Sequence, residues 1–324
     1  MSKSSRHNRF SRSASLALSI LLLIPSSIAA ATREFKSLPS LFASASQPAA
    51  LPQSSGATGK FVTVYGAKIH YREAGSGPVV ILLHGLGGDM ANWALTVDAL
   101  AKHYRVIVPD QIGFGQSDKP FISYRVGTLV DFLDGLYKEL KVERATLVGN
   151  SLGGFTAALF ALTHPEKVER LVLVDAAGYA VPEGTDPRSF DVLNPSTLET
   201  CRQILSLVFY NKQLYASDAA AQLMLTRRMT AGDGYTIERF IESILRGQDV
   251  LDGRLSAIKQ PTLIIWGRED LLTPLAMSER FKKDIPGSEL LVIEKCGHVP
   301  QIEQAAQFNA ALLKFLSPTG VANK

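Results

Sequence analysis

Leu147-Val148-Gly149-Asn150-Ser151-Leu152-Gly153-Gly154 is the stretch that decides the fold, because it joins an apolar run to a helical run through one G-x-S-x-G turn. The run before Ser151 predicts a buried strand, and Phe155-Thr156-Ala157-Ala158-Leu159 predicts the helix after it. Gly149 and Gly153 lack the Cβ atoms that would collide where strand and helix pass closely. The pattern therefore predicts a strand, a sharp turn and a helix, with a serine at the apex.

Short apolar runs alternate with helical patterns on both sides of this turn. The first two predicted strands flank Gly66 and form a hairpin, whereas the later strands are separated by helices. Strands that alternate with helices in this way imply βαβ crossovers, so we predict an α/β fold with a mostly parallel sheet and helices on both faces. The predicted strands are 61–65, 68–73, 79–83, 105–108, 145–148, 168–174, 262–266 and 289–293.

The alternation stops between residues 177 and 258, which contain helical patterns but no convincing buried strand. We predict a core made of residues 60–176 and 259–318, with residues 177–258 inserted as a helical cap. Open α/β sheets bind ligands at the carboxyl ends of their strands, so we expect the cap to cover that edge. Extra scaffold away from any site is the alternative. The candidate pocket or cap-core residues are Leu205, Phe209, Phe240 and Ile244.

The first 31 residues have the three parts of an export signal. An apolar run of nine residues, Leu16–Ile24, is too short to span a bilayer, which needs roughly 20. We predict a signal peptide over residues 1–31, cleaved near Ala31, and an exported protein that is periplasmic or secreted. An uncleaved membrane anchor is the alternative. Residues 32–59 are rich in Ser, Ala and Pro and predict a flexible linker. The basic residues before the apolar run are Lys3, Arg6, Arg9 and Arg12.

Those four basic residues account for the whole net charge of +4, so the predicted mature chain is neutral. A neutral chain without long charge runs gives no sign of a nucleic-acid partner, and we expect no stable membrane insertion after signal cleavage. Cys201 and Cys296 are the only cysteines. Their spacing leaves open whether they pair, although free thiols are favoured. Neither a metal-ligand spacing nor a dinucleotide fingerprint is present, so we predict no metal and no cofactor.

Three residues at predicted strand ends fit nucleophilic catalysis. A serine needs a base and a group that orients the base, and Ser151 is followed in the chain by Asp270 and His298. This order is the one expected for a serine, aspartate and histidine triad in an α/β-hydrolase. Asp175 also ends a strand and is the alternative acid. We interpret His84 and Asp110 as residues that shape loops.

Taken together, these motifs resemble the α/β-hydrolase family with a helical cap, over residues 61–316. The resemblance implies that Ser151 attacks an acyl carbon, that His298 transfers the proton and that Asp270 orients the imidazole. It also implies an oxyanion hole made by the backbone N–H groups of Leu86 and Leu152. The motifs that carry the resemblance are His84–Gly88, Pro109–Ser117, Gly149–Gly154, Gly267–Asp270 and Cys296–Pro300.

The residue at the apex separates the branches of this family. Related haloalkane dehalogenases and epoxide hydrolases carry aspartate where this chain has Ser151, so we favour acyl-enzyme chemistry. The leading hypothesis is an exported hydrolase of a small or medium apolar carboxylic ester. A carbon–carbon bond hydrolase of the meta-cleavage type ranks second, because Gly85–Asp89 departs from the glycine–proline pattern common in those enzymes. A ligand-binding or signalling module with a slow triad is the non-enzymatic alternative.

Overall fold

The computed structural model describes residues 59–317. The predicted signal peptide and all but the last residue of the predicted linker lie outside this range. Among residues 59–317, no helix combines the length and the apolar character needed to cross a membrane.

An eight-stranded sheet organises the described part of the chain, with strand order β1-β2-β4-β3-β5-β6-β7-β8. β1 and β2 form the predicted hairpin, and β2 pairs antiparallel with β4. All remaining neighbours are parallel, which confirms the predicted fold class. The strands are β1 (Lys60–Val64), β2 (Ala67–Ala74), β3 (Val79–Leu83), β4 (Arg105–Pro109), β5 (Ala145–Asn150), β6 (Val168–Val174), β7 (Thr262–Gly267) and β8 (Glu289–Ile293).

Ten α-helices accompany this sheet within the described range. They are α1 (Ala94–Leu100), α2 (Val126–Glu139), α3 (Leu152–Thr163), α4 (Leu198–Val208), α5 (Lys212–Tyr215), α6 (Asp218–Ala231), α7 (Gly234–Leu245), α8 (Leu275–Asp284), α9 (Pro300–Glu303) and α10 (Ala305–Leu316). Short 3₁₀ turns lie at Met90–Trp93, Pro165–Lys167, Pro187–Leu193 and Leu255–Ala257. Apolar spacing in the sequence predicts one helix over residues 92–102, and the structure divides this segment between the 3₁₀ turn at Met90–Trp93 and α1.

Side chains on the central strands alternate between two apolar layers. Leu171 and Leu173 of β6 pack in the layer that holds α2, α3 and α8, whereas Val172 and Val174 pack in the layer that holds α1 and α10. Burial on both faces explains why these strands read as continuous apolar runs. The sheet thereby holds the carboxyl ends of β5, β7 and β8 in fixed positions.

Between β6 and β7 the chain forms α4 to α7 and two of the 3₁₀ turns. We call residues 177–258 the cap segment. Apolar spacing in the sequence predicts helices over 197–209, 219–229 and 236–245, and α4, α6 and α7 begin and end within two residues of these limits. Pro187–Leu193 and α5 carry no periodic signal, because each is shorter than the window of about 11 residues over which a helical period can be recognised.

Candidate active site

A cavity of about 1100 Å³ lies between the cap segment and the carboxyl ends of the strands. Ser151 and His298 both contribute to its wall, as do three of the four predicted cap residues: Leu205, Phe209 and Ile244. The fourth, Phe240, is instead fully buried and stacks on Phe114, with ring centroids 5.6 Å apart. The cap segment therefore faces the strand ends, where the ligand site is expected.

Ser151 sits at the apex of the turn between β5 and α3, with φ of 56° and ψ of −118°. Positive φ is rare for a residue with a side chain, so the turn must be held by its surroundings. The Ser151 N–H donates to the Val174 carbonyl at 2.9 Å. A Cβ on Gly149 would lie 2.1 Å from the Gly153 carbonyl oxygen, which explains why strand and helix need glycine here.

Asp270 and His298 meet at the ends of β7 and β8. His298 Nδ1 lies 2.7 Å from Asp270 Oδ2. Asp270 also accepts the N–H groups of Leu272 at 2.8 Å and Thr273 at 3.0 Å, and the Thr273 hydroxyl at 2.5 Å. Burial alone would raise the pKa of Asp270, but the charge of His298 and these hydrogen bonds outweigh it and hold the pKa below its ordinary value. Asp270 is thus arranged to stay ionised. Because it binds His298 through Nδ1, the Nε2 atom of His298 is free to accept a proton.

Two residues that sequence reasoning missed support the His298 loop. Asn150, next to Ser151, donates its amide to the His298 carbonyl at 3.0 Å and to the Val174 carbonyl at 3.2 Å. Glu303 accepts the Gly297 N–H at 2.8 Å. In addition, the His298 N–H donates to the carbonyl of Val208, at the end of α4, at 2.7 Å. The only sequence signal for Asn150 was its place inside the turn motif.

The alternative acid, Asp175, lies next to Asp270 and is fully buried. One oxygen each from Asp175 and Asp270 and a ring nitrogen of His298 all lie within 4.8 Å of one another. Since His298 Nδ1 donates its hydrogen bond to Asp270 and not to Asp175, the geometry favours Asp270 as the orienting acid. A metal ion at this cluster would compete with that 2.7 Å hydrogen bond. The absence of a metal or cofactor stays a prediction.

The two predicted oxyanion donors also line the cavity beside Ser151. Leu152 is the first residue of α3, so its N–H has no acceptor within the helix. Leu86 lies in the loop after β3, which passes so close that a Cβ on Gly85 would be 3.1 Å from Ser151 Cβ. Both residues therefore line the cavity near Ser151, and their role as oxyanion donors stays a prediction.

His84 and Asp110 hold the surrounding loops, as interpreted from the sequence. His84 Nε2 accepts the Gln111 N–H at 3.0 Å, which leaves its Nδ1 to donate to the Gly85 carbonyl at 2.8 Å. Asp110 accepts the N–H groups of Met90 at 2.7 Å and Gln116 at 2.8 Å. Both side chains thereby brace the loop that carries Leu86.

A buried arginine interrupts the mostly apolar cavity wall. Arg228 of α6 pairs with Asp233, and it donates to Asn194 at 2.5 Å and to the Pro195 carbonyl at 3.5 Å. These contacts use three of the five guanidinium N–H groups and fix the orientation of the side chain. Sequence reasoning did not single out this residue, because one arginine on a helix carries no distinguishing pattern.

Both cysteines are free, as the sequence favoured, and both are fully buried. Burial raises the pKa of both thiols. Raised pKa values keep these thiols in the neutral form, which is poorly reactive.

The fold and this geometry agree with a family comparison. The protein-family model described as alpha/beta hydrolase fold matches residues 78–305 of this chain. The chain belongs to the α/β-hydrolase family. It is 33% identical, over 84% of its length and 98% of the relative, to the 2-hydroxymuconate semialdehyde hydrolase of Pseudomonas sp. strain CF600. It is 35% identical, over 81% and 97%, to the 2-hydroxy-6-oxononadienedioate/2-hydroxy-6-oxononatrienedioate hydrolase of Paraburkholderia phymatum.

Among solved structures, this α/β-hydrolase resembles the meta-cleavage product hydrolase of Pseudomonas fluorescens IP01. The sequence identity is 35% and the TM-score 0.73, and the match covers 79% of this chain and 97% of the other. The chain is therefore a hydrolase, which sets aside the non-enzymatic alternative. The resemblance to the meta-cleavage enzymes includes the cap segment.

Proposed function

We propose that this hydrolase cleaves a carbon–carbon bond beside a carbonyl carbon, in a substrate of the 2-hydroxy-6-oxo-dienoate class. The observation that carries the proposal is the similarity to enzymes named for such substrates, which extends over nearly their whole length. The sequence favoured ester hydrolysis, because Gly85–Asp89 departs from the glycine–proline pattern common in carbon–carbon bond hydrolases. We now rank carbon–carbon bond hydrolysis first. The departure concerns one loop, whereas the similarity includes the core and the cap segment.

Arg228 supports a carboxylate-bearing substrate. It lies in the cavity wall with two N–H groups left over by its three fixed contacts. Its Nη1 lies 3.7 Å from the position that a Cβ on Gly87 would take, so the guanidinium is close to the oxyanion loop. A guanidinium held in this way suits a carboxylate oxygen.

In the proposed reaction, Ser151 Oγ attacks the carbonyl carbon while His298 Nε2 takes its proton. The N–H groups of Leu86 and Leu152 stabilise the resulting oxyanion. The 2-hydroxy-dienoate reacts as its keto tautomer, in which the hydroxyl proton has moved to C5 and that carbon is saturated. Collapse of the intermediate breaks the bond between C5 and the carbonyl carbon, the leaving carbanion at C5 is delocalised into the remaining enone, and His298 returns the proton to it. A water molecule, deprotonated by His298, then hydrolyses the acyl-enzyme.

Ester hydrolysis is the second candidate, and the size and apolar walls of the cavity favour it. About 1100 Å³ exceeds the range of roughly 300 to 1000 Å³ typical of small-molecule sites. Such a space suits an acyl chain of medium length. The same triad would serve, with an alkoxide in place of the carbanion.

The two candidates are separated by comparing kcat/KM for 2-hydroxy-6-oxohepta-2,4-dienoate and for p-nitrophenyl butyrate with the purified protein. We expect faster turnover of the dienoate, and a loss of about 10⁶-fold in kcat in Ser151→Ala. Ser256→Ala, an exposed serine in a 3₁₀ turn, is the matched control and should behave as the wild type. Turnover of the ester alone would favour the second candidate. Failure on both substrates despite labelling of Ser151 by a fluorophosphonate would contradict both.

We also propose that the enzyme acts outside the cytoplasm after cleavage near Ala31. The basic and apolar pattern of residues 1–31 supports this proposal. N-terminal sequencing of the protein from a fractionated native host tests it. An intact Met1 in a cytoplasmic fraction would contradict it.

A further inference from the structure

Asp175 is a buried carboxyl group to which the proposed mechanism assigns no role. It follows β6 directly with φ of 43°, a conformation that is uncommon for a residue with a side chain. Its Oδ1 accepts the Gly267 N–H at 2.9 Å, and its Oδ2 has no hydrogen-bond partner among residues 59–317. A buried carboxylate oxygen without a donor is costly, so this group requires an explanation.

The two neighbouring acids differ in how their charge is satisfied. Asp270 accepts four hydrogen bonds, whereas the Asp175 side chain accepts one. With carboxyl oxygens of the two residues within 4.8 Å, both cannot remain ionised in this buried place. A single proton shared by the pair belongs on the acid with fewer donors, because ionised Asp270 is the better stabilised group.

We propose that Asp175 is a neutral acid at neutral pH and acts as a positioning residue, using the proton on its Oδ2 to hold the Asp270 carboxylate. Burial, followed by the negative charge of Asp270, raises the pKa of Asp175 well above its ordinary value, in agreement with this geometry. The inference rests on the proposed triad, in which Asp270 orients His298.

The other groups around Asp175 are compatible with a neutral acid. Cys296, on the loop after β8, is kept neutral by burial, so it adds no charge beside Asp175. Glu269 is occupied with the Cys296 N–H at 2.9 Å. An ionised Asp175 would add a second negative charge beside the imidazolium of His298 and would be balanced by no further cation in this cluster. The neutral form gives Asp270 a donor without this extra charge.

Carbon-13 NMR of the wild-type protein, labelled at the aspartate carboxyl carbons, tests the proton directly. The resonance that disappears in Asp175→Asn should keep the chemical shift of a protonated acid at neutral pH. Titration of this resonance near the ordinary value of 3.8 would overturn the proposal. This measurement needs no substrate, so it separates a failure of this inference from a failure of the proposed function.

Steady-state kinetics of variants test the positioning role. The substrate is 2-hydroxy-6-oxohepta-2,4-dienoate or p-nitrophenyl butyrate, whichever the enzyme turns over. Asp175→Asn preserves shape and can donate an amide N–H to Asp270, so we expect kcat and its pH profile to stay close to the wild type. Asp175→Ala removes the donor and should lower kcat roughly 10- to 100-fold. In an Asp270→Asn background the same alanine substitution should have little further effect, because Asp175 acts through Asp270. Wild-type kinetics in Asp175→Ala, or full additivity with Asp270→Asn, would overturn the role.

Discussion

Ser151 keeps its unusual backbone conformation because several groups hold it at once. Besides the bond from its own N–H, its carbonyl accepts the N–H groups of Phe155 at 3.0 Å and Ala177 at 3.1 Å. A residue in such a conformation costs of order 1–3 kcal/mol, and these bonds offset that cost. The position of the proposed nucleophile is therefore set by the turn and does not depend on a bound substrate.

At the residue scale, Gly149→Ala should destabilise the enzyme severely, by roughly 3 kcal/mol or more. The added Cβ would lie 2.1 Å from the Gly153 carbonyl oxygen, so β5 or α3 would have to move. Urea unfolding measures the change in the free energy of unfolding. Gly234→Ala is the matched control, since its Cβ would come no closer than 3.9 Å to Asn194 and it begins α7. Equal effects of the two substitutions would contradict the argument.

At the element scale, Glu303 in α9 connects the His298 loop to the turn between α4 and α5. Its carboxylate accepts the N–H groups of Gly297 at 2.8 Å, Tyr210 at 3.1 Å and Asn211 at 2.6 Å. Hydrogen bonds to a charged acceptor are stronger than those between neutral groups. One side chain thereby ties the end of β8 to the cap segment.

Glu303→Ala should lower the free energy of unfolding by roughly 2 kcal/mol, because three N–H groups lose a charged acceptor. We also expect a lower kcat, since Gly297 precedes His298. Thermal unfolding and steady-state kinetics measure the two effects. In the control, Glu294→Ala, only an exposed ion pair with Arg268 is lost, and the expected change is at most about 1 kcal/mol. A wild-type melting temperature in Glu303→Ala would show that the connection is unimportant.

The strands were predictable because burial on both faces leaves a continuous apolar run, and Val79–Leu83 and Val168–Val174 have the predicted limits. The pairing of Asp270 with His298 was also predictable, since both follow strands that end at the same edge. The contacts of Asn150 and Glu303 were not. Asn150 and His298, and likewise Glu303 and Tyr210, lie about 90 to 150 positions apart in the chain, and a local pattern contains no information about such pairs.

At the scale of the whole molecule, stability should fall in acid partly through Asp110. Burial would raise its pKa, but the hydrogen bonds of His70 and two backbone N–H groups outweigh it and lower the pKa below 3.8. A lowered pKa in the folded state gives stability that is present above the unfolded pKa and is lost as the pH falls through the folded value. This contribution is therefore complete at neutral pH.

Asp110→Asn should reduce the free energy of unfolding by roughly 2–4 kcal/mol at neutral pH, and the difference from the wild type should shrink as the pH falls below about 3.8. Urea unfolding at a series of pH values down to about 3 measures this convergence. Asp131→Asn, at an exposed position of α2, is the control and should leave the curve unchanged. A difference that does not vary with pH would contradict the assignment.

The hydrogen bond from the His298 N–H to the Val208 carbonyl restricts how the enzyme can admit a substrate. Any movement that lifts the end of α4 away from the core breaks this bond and releases the backbone of the proposed base. An entrance that opened there would disable the enzyme during loading. Substrate and product are therefore expected to pass between other parts of the cap segment, while the end of α4 stays in place.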